Sequence, residues 1–354
     1  MTDPNLELHG IDAPLEAEIV LRAGPFEAIF EPTRAYLRRV RIHGVESVRV
    51  VYLHARAPDW STVVPAVSNL ESSIGQDRFE LTWTGLHRKG EINFEWKGTL
   101  TGTAEGITYR CEGVALSEFK TNRTGMCALI PREFQGLPAT IRHPDETESA
   151  ITMPTTVSPT EPVRLARSIE LGGVKLTFEG DVYGAEDQRN WSDASFKAYS
   201  MRGRGGAAYT LMKGEKLTHS LRIEASKTEA PGPAAVSKAG SPLLGARLDN
   251  DHDDIGNLPV DFFRVELPAG EDEARHLLDH ARGSGRPLQI VAPHGGKAPD
   301  TRDHETLILM NAKERPSSST SAWLGAGAFS EFNMGRHEAK GFDGLEVTVT
   351  PQVH

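Results

Sequence analysis

The chain has 354 residues, of which 38% are hydrophobic and 25% charged, so its composition is that of a globular protein and excludes a wholly disordered one. Its formal net charge of −10 argues against nucleic acid or an anionic membrane as a partner, because both bind basic faces. No apolar run approaches the roughly 18–20 residues that a membrane span requires. The N-terminus also lacks the pattern of a secretory signal, and there are only two cysteines. We therefore expect a cytoplasmic protein without disulfides.

The first two thirds of the chain repeatedly alternate apolar and polar residues, with Gly, Asn and Pro at the breaks. Alternation with a period of two is typical of strands with one dry and one wet face. Two such sheets can pack their dry faces together. The pattern therefore predicts an antiparallel β-sandwich domain over residues 1–228. The clearest strands carry Phe79, Leu81 and Trp83; Ile92, Phe94 and Trp96; Ile107, Tyr109 and Cys111; Val174, Leu176 and Phe178; and Leu217, Leu221 and Ile223.

Residues 229–242 contain three prolines and two glycines among small side chains, which is typical of a linker. Beyond them, residues 261–267 read as a strand. A helix follows over about 271–282, because Ala274, Leu277, Leu278 and Ala281 share one helical face.

Four short apolar runs come next, at 288–292, 306–310, 322–329 and 345–349. Strand, helix and further strands suggest parallel βα units. Residues 243–354 are nevertheless far fewer than the roughly 200–250 of a complete (β/α)₈ barrel. We expect an incomplete barrel-like region.

Residues 186–199 are the most unusual stretch, with acids, bases, amides and aromatics mixed together and neither a strand period nor a helical face. A buried polar network or a binding site must hold these side chains. One interpretation makes Glu186, Asp187, Arg189 and Asn190 substrate-binding residues that reach the barrel mouth. The other makes them an ion-paired wedge between the domains, anchored by Trp191 and Phe196.

Several segments, in collinear order, resemble the D-apionate lactonase family. Residues 186–195 resemble its Glu-Asp-Gln-Arg-Asn-Trp-Thr-Asp-Ala-Ser motif, and 121–129, 263–267, 328–333 and 351–354 resemble further strands of the family. The resemblance implies a β-sandwich followed by a TIM-type barrel, and the hydrolysis of a branched sugar lactone. Gly184 and Ala185 stand where the family has Glu-Met, so one family carboxylate is missing. Because the family barrel continues beyond Pro-Gln-Val-His, we expect this barrel to be truncated.

The resemblance and the pattern together point to Glu331 as the general acid/base of lactone hydrolysis. Glu331 follows the apolar run 322–329, and Asn333 leaves the same side of an extended segment. Near the carboxyl end of a barrel strand, a desolvated Glu would have a raised pKa and could carry a proton near neutrality. The alternatives are a solvated loop acid and a turn-forming Asn.

Three further residues are candidates for the same site. Arg264 and Glu266 share one side of their strand, where Arg264 could orient the lactone together with Asn333, or where the two could pair only for structure. His354 could donate a hydrogen bond to the oxyanion, or it could belong to a frayed terminus.

Other catalytic signatures are absent from the sequence. There is no Gly-x-Ser-x-Gly elbow, and neither His304-Glu305 nor His337-Glu338 has the second His of a zinc-protease helix. Asp249, Asp251 and Asp253 alternate as in a calcium loop, but the loop's Gly and final Glu are missing. We expect no metal and no cofactor.

The leading hypothesis is a hydrolase of carbohydrate metabolism whose partner is a small-molecule sugar lactone. A glycoside hydrolase of related architecture is the first alternative, although it needs a second catalytic carboxylate. The other alternative is a truncated, inactive relative whose intact part is a carbohydrate-binding or structural sandwich.

Overall fold

A computed structural model of the chain describes residues 17–191, 193–202, 208–228, 230, 243–251, 255, 258–292, 298–310, 321–328 and 341–348. The chain divides into two compact units, Met1–Arg189 with Ala194–Ala234, and Asn190–Asp193 with Ala235–His354. Apart from residue 230, the predicted linker lies outside the described residues. Within the described ranges, no helix has both the length and the apolar character needed to cross a membrane.

Among the described residues, the first unit has twenty strands and the 3₁₀ helix Arg132–Phe134; a second 3₁₀ helix, Gln188–Trp191, begins in the first unit and ends in the second. The strands are β1 (Ile19–Ala23), β2 (Phe26–Glu31), β3 (Tyr36–Ile42), β4 (Val45–Arg56), β5 (Thr62–Val63), β6 (Pro65–Ile74), β7 (Phe79–Lys89), β8 (Ile92–Thr103), β9 (Gly106–Ala115), β10 (Phe119–Thr121), β11 (Arg123–Pro131), β12 (Pro138–Arg142), β13 (Glu148–Thr152), β14 (Val163–Ala166), β15 (Ser168–Leu171), β16 (Val174–Glu179), β17 (Tyr183–Asp187), β18 (Ser195–Ser200), β19 (Tyr209–Leu211) and β20 (Lys216–Ala225).

These strands form two nine-stranded antiparallel sheets and one small pair. The first sheet has the order β1-β2-β3-β4-β11-β18-β17-β14, with β5 joined to β4. The second has the order β13-β12-β15-β16-β20-β9-β8-β7-β6, and β10 pairs with β19. Neighbours such as β4 and β11 are distant in sequence, so the sheets depend on long-range pairing.

The two large sheets pack face to face around one continuous hydrophobic core. Phe30 of the first sheet lies 4.9 Å from Trp83 of the second, between ring centroids. Phe178 and Tyr183 stack across the same interface at 4.2 Å. Tyr109 buries its ring there and donates a hydrogen bond to the carbonyl of Ala35 at 2.7 Å. The predicted antiparallel β-sandwich is thus confirmed.

The expectation that residues 186–199 are not strand-like is wrong for part of that segment. Strand β17 ends at Asp187, a 3₁₀ turn covers Gln188–Trp191, and β18 begins at Ser195. All six residues of β18 are buried. A strand that is buried on both faces need not alternate apolar and polar residues, so the period of two is less evident in the sequence of β18.

Among the described residues, the second unit has six parallel strands whose order in the sheet is their order in the chain. They are β21 (Gly245–Leu248), β22 (Phe262–Glu266), β23 (Leu288–Val291), β24 (Glu305–Met310), β25 (Ala322–Ala328) and β26 (Gly344–Thr348). The predicted helix is present as α1 (Glu271–Gly283). Its buried Leu277, Leu278 and Ala281 share a core with Phe263 and Val265 of β22.

Glycines facing aromatic rings shape the second sheet. Trp83 of β7 lies opposite Gly98 of β8, and Gly85 lies opposite Trp96 in the same strand pair. A Cβ at either glycine would lie less than 3.0 Å from atoms of the opposite indole ring, which is a steric overlap. The two indoles meet edge to face at 5.8 Å between ring centroids. The absent side chains therefore make room for the largest residues of the core.

Replacing Gly98 with Ala should destabilise the protein by about 1–3 kcal/mol, because the added methyl group must displace the Trp83 ring in a packed core. The measurement is the midpoint of urea unfolding. Gly75→Ala is the control, since its Cβ would meet only ordinary contacts at 3.4 Å or beyond. Equal midpoints for the two variants would contradict this account of the core.

His87 and His219 are buried and uncharged histidines of the sandwich. His87 donates from Nδ1 to the carbonyl of Val63 at 2.7 Å and stacks on Trp96. Its Nε2 has no hydrogen-bond partner among the described residues. His219 contacts the hydroxyl of Tyr183 at 3.2 Å. Burial lowers the pKa of each imidazole to about 4.

These pKa values predict acid sensitivity between pH 6.5 and 4. In that window the unfolded chain protonates its histidines, whose ordinary pKa is about 6.5, while the folded protein does not. Stability is therefore full above about pH 6.5 and falls as the pH drops towards 4. His87→Asn keeps a donor for Val63 but cannot titrate, so it should remove about 3 kcal/mol of this pH-dependent loss.

The measurement is urea unfolding at a series of pH values from 7 to 4. The matched control is His43→Asn, the same chemical change at an exposed turn residue. The account fails if His87→Asn and His43→Asn lose stability with the same slope.

Candidate functional site

Asp187 and Arg189 form a two-point ion pair where β17 ends. Nε and Nη2 of Arg189 donate to the two carboxylate oxygens of Asp187 at 2.8 and 2.7 Å. The Asp187 side chain is fully buried, and that of Arg189 is 11% exposed. The backbone N–H of Ser158 also donates to Asp187, at 2.8 Å.

Arg189 uses its remaining donors to hold a neighbouring loop. Nη2 reaches the carbonyl of Pro154 at 2.8 Å, and Nη1 reaches Oε1 of Gln135 at 2.8 Å and the carbonyl of Thr155 at 3.1 Å. The guanidinium also lies over the ring of Phe196. For Asp187 and Arg189 this geometry favours the polar network over substrate contact. Asn190 is also buried and has polar contacts.

Glu186 points to the opposite face of the first sheet, away from the sandwich core. Its Oε1 lies 3.3 Å from Nη1 of Arg123 and 3.7 Å from Nζ of Lys197. Glu186 is paired with Lys197 across β17 and β18. One carboxylate oxygen is thus shared by two cations.

Aromatic side chains surround these charges. The Arg123 guanidinium carbon lies 3.6 Å from the centre of the Tyr199 ring and 5.5 Å from that of Trp60. The Tyr199 hydroxyl donates to Glu161. Burial lowers the pKa of Arg123, but Glu186, Tyr199 and Cys127 together raise it, and the net pKa lies above its ordinary value. We call the following six residues the outer-face cluster: Trp60, Arg123, Glu161, Glu186, Lys197 and Tyr199.

Buried titratable groups lie directly beside the cluster on the same face. Sγ of Cys127 is 3.1 Å from Nδ1 of His54. Burial raises the pKa of Cys127 and holds the pKa of His54 well below its usual range, so both are neutral at pH 7. A neutral thiol is a poor nucleophile, which argues against cysteine catalysis here. Burial also lowers the pKa of Lys197.

Sequence reasoning did not single out Lys197 and Tyr199, which lie inside the unusual segment, or Arg123 and Cys127 as site residues. A signal was present. Phe196 and Ala198 face the core, so Lys197 and Tyr199 must share the other face.

In the second unit, Arg264 and Glu266 are brought together, as their spacing predicts. Nε of Arg264 donates to Oε1 of Glu266 at 3.3 Å, and Nη1 donates to Oε1 of Glu346 at 3.1 Å. Arg247 adds a contact to Glu266 at 3.3 Å. These charges lie on the sheet face opposite the buried Phe263.

The contact between Arg264 and Glu346 also reports the shape of this sheet. Three strands separate β22 from β26, which would place them about 19 Å apart in a flat sheet. A direct ion pair at 3.1 Å requires the sheet to curl strongly, with the charged face on the concave side.

The other three predicted catalytic residues, Glu331, Asn333 and His354, lie outside the described residues. Glu331 follows the last residue of β25, Ala328, by three positions. Catalytic roles for these residues, and for Arg264 and Glu266, remain predictions.

Comparison with known proteins agrees with the sequence motifs. The family model for the D-apionate lactonase N-terminal domain matches residues 6–228, which is more than half of the chain. The chain belongs to the D-apionate lactonase family. A D-apionate lactonase from Brucella anthropi is 33% identical over 178 residues, which cover 46% of this chain and 28% of that relative.

The solved structures that resemble this family member have low sequence identity to it and low TM-scores. A galactose 1-epimerase from Lactobacillus acidophilus NCFM is 9% identical, with a TM-score of 0.39, over 62% of this chain and 98% of the other. A GH36 alpha-galactosidase from Geobacillus stearothermophilus is 9% identical, with a TM-score of 0.40, over 91% of this chain and 73% of the other.

Removing one partner of the Asp187–Arg189 pair should destabilise this family member strongly. Asp187→Asn should cost about 3 kcal/mol in urea unfolding, because it leaves a mostly buried guanidinium without its charged partner. The control is Glu27→Gln, which breaks the exposed pair with Arg22 and should cost about 0–1 kcal/mol. A loss of less than 1 kcal/mol in Asp187→Asn would show that the network is not structural.

Proposed function

We propose that this chain is a hydrolase that opens a sugar lactone of the D-apionolactone kind to its aldonic acid, in cytoplasmic carbohydrate metabolism. The observation that carries the proposal is the family match over residues 6–228. A relative named D-apionate lactonase supports it. Because the aligned region is 28% of that relative, the activity of the whole relative is applied to this chain only as a proposal.

The reaction needs a nucleophilic water, a donor for the oxyanion and a proton for the leaving oxygen. In the proposed mechanism, the Glu331 carboxylate takes a proton from a water molecule while the oxygen of that water attacks the lactone carbonyl carbon. His354 donates a hydrogen bond to the resulting oxyanion. Glu331 then returns the proton to the ring oxygen as the carbon–oxygen bond breaks, which yields the hydroxy acid. Asn333 and Arg264 orient the lactone.

We further propose that the six parallel strands form part of a (β/α) barrel. The curl required by the Arg264–Glu346 contact supports this proposal, as does the sequential strand order. Active sites of such barrels lie at the carboxyl ends of the strands. Glu266 is the last residue of β22, and Glu331 follows β25, so both belong to that end by sequence.

Arg264 is held from two sides by Glu266 and Glu346, so its guanidinium is fixed in direction before any substrate arrives. Such preorganisation is what an orienting group requires. Of the residues in the unusual segment, Asn190 remains a proposed lactone contact, whereas Asp187 and Arg189 bind each other and Glu186 is held by Arg123 and Lys197.

Glu331→Gln should abolish lactone hydrolysis while leaving the melting temperature within a few degrees, because it removes the proton-carrying group and little volume. The measurement is acid release from D-apionolactone in a pH-stat. Glu27→Gln, an exposed change in the sandwich, serves as the active control. Wild-type protein that is folded but releases no acid would contradict the proposed function, and hydrolysis of a nitrophenyl glycoside instead would favour the glycosidase alternative.

A further inference from the structure

In the outer-face cluster, the two buried cations have only one carboxylate oxygen close to both of them. Arg123 and Lys197 share a single oxygen of Glu186. Glu161 is already engaged by the Tyr199 hydroxyl and lies 3.4 Å from Arg164. Nearby Arg56 has a buried Nε without a hydrogen-bond partner among the described residues. Cations removed from water in this way are costly unless an anion pairs with them.

Lys197 bears the largest desolvation cost of these cations. Its side chain is 3% exposed, and the ammonium contacts Glu186 at 3.7 Å, which is too long for a hydrogen bond. The part of the chain that the structure describes offers this ammonium no acceptor at hydrogen-bond distance. A buried ammonium with three free donors is a position ready for a ligand acceptor.

The side chains of the cluster differ in their exposure to solvent. Lys197 is 3% exposed, Arg123 16%, Glu186 26% and Trp60 43%. Trp60 offers an aromatic surface, while Glu186 and Tyr199 offer polar groups that can bond hydroxyls. The buried cations therefore suit an anionic group, and the more exposed side chains suit a hydroxylated carbon chain.

We propose that the outer-face cluster is a binding site for a small hydroxylated carboxylate, separate from the hydrolytic site proposed in the second unit. The ligand's carboxylate accepts hydrogen bonds from the two cations of the cluster, Lys197 and Arg123. Its hydroxyls bond Glu186, and its carbon chain lies against Trp60. The residues that carry this site all belong to the first unit, so binding does not require hydrolysis.

The test uses D-gluconate as the probe in titration calorimetry with the full chain. Gluconate should bind, and D-glucitol, which has similar hydroxyls but no carboxylate, should bind at least about tenfold more weakly. Lys197→Met retains the buried stem but removes the charge, so it should weaken gluconate binding by at least about tenfold. Because the change also removes a desolvated ammonium, the melting temperature should not fall.

A second variant separates ligand binding from a purely structural role. Glu186→Gln removes the anion that competes with the ligand for Arg123 and Lys197, so gluconate should bind more tightly. A structural ion pair predicts no gain. The proposal is overturned if gluconate does not bind, if Lys197→Met binds it as wild type does, or if Glu186→Gln fails to strengthen binding.

Two further variants tell this proposal apart from the proposed hydrolysis. Glu331→Gln and Arg264→Met, in the second unit, should both leave gluconate binding unchanged. If Arg264→Met removes binding, the carboxylate binds in the second unit and the outer-face site is wrong. A wild-type protein that binds gluconate but hydrolyses no lactone would refute only the hydrolysis.

Discussion

The central strands of the first sheet are buried on both faces, and much of the first unit follows from that constraint. On the inner face, β4, β11 and β18 contribute Leu53, Met126 and Phe196 to the sandwich core. On the outer face the same strands carry Tyr52, Cys127 and Tyr199, which form a second small core. Charged residues that share this outer face, such as Lys197, are therefore desolvated. Burial of each of these charges is unfavourable unless an oppositely charged or hydrogen-bonding partner compensates for the lost water.

Double burial also explains what the sequence could and could not predict. The second sheet has one face in the core, so Phe79, Leu81 and Trp83 alternate with polar residues and identify β7 directly. Strand β18 is buried on both faces, and its outer face mixes Ser195 and Lys197 with Tyr199, so its alternation is weaker in the sequence. The long-range pairing of β11 with β4 could not be read from local pattern either, and it is this pairing that places Arg123 in the outer-face cluster.

In the second unit, the sequence predicted helix α1, the positions of β22 to β26 and one pair of residues, but it did not predict β21. Helix α1 and the pairing of Arg264 with Glu266 follow from periodicity, because each depends on neighbours along the chain. Glu346 was not predicted to join them. Its contact depends on the curl of a sheet across β23, β24 and β25, and sheet curvature is not encoded in any short segment.

The buried charges of the first unit can be sorted by whether their hydrogen bonds are complete. Asp187 and Arg189 satisfy each other at two points and bind the surrounding backbone, so the pair stabilises the fold and leaves little capacity for a ligand. Lys197 is buried to a similar degree, yet its ammonium has only a distant shared carboxylate. Leaving such a group without a hydrogen-bond acceptor is costly. In the first unit, incomplete pairing, rather than charge or burial alone, therefore marks Lys197 as the proposed binding position.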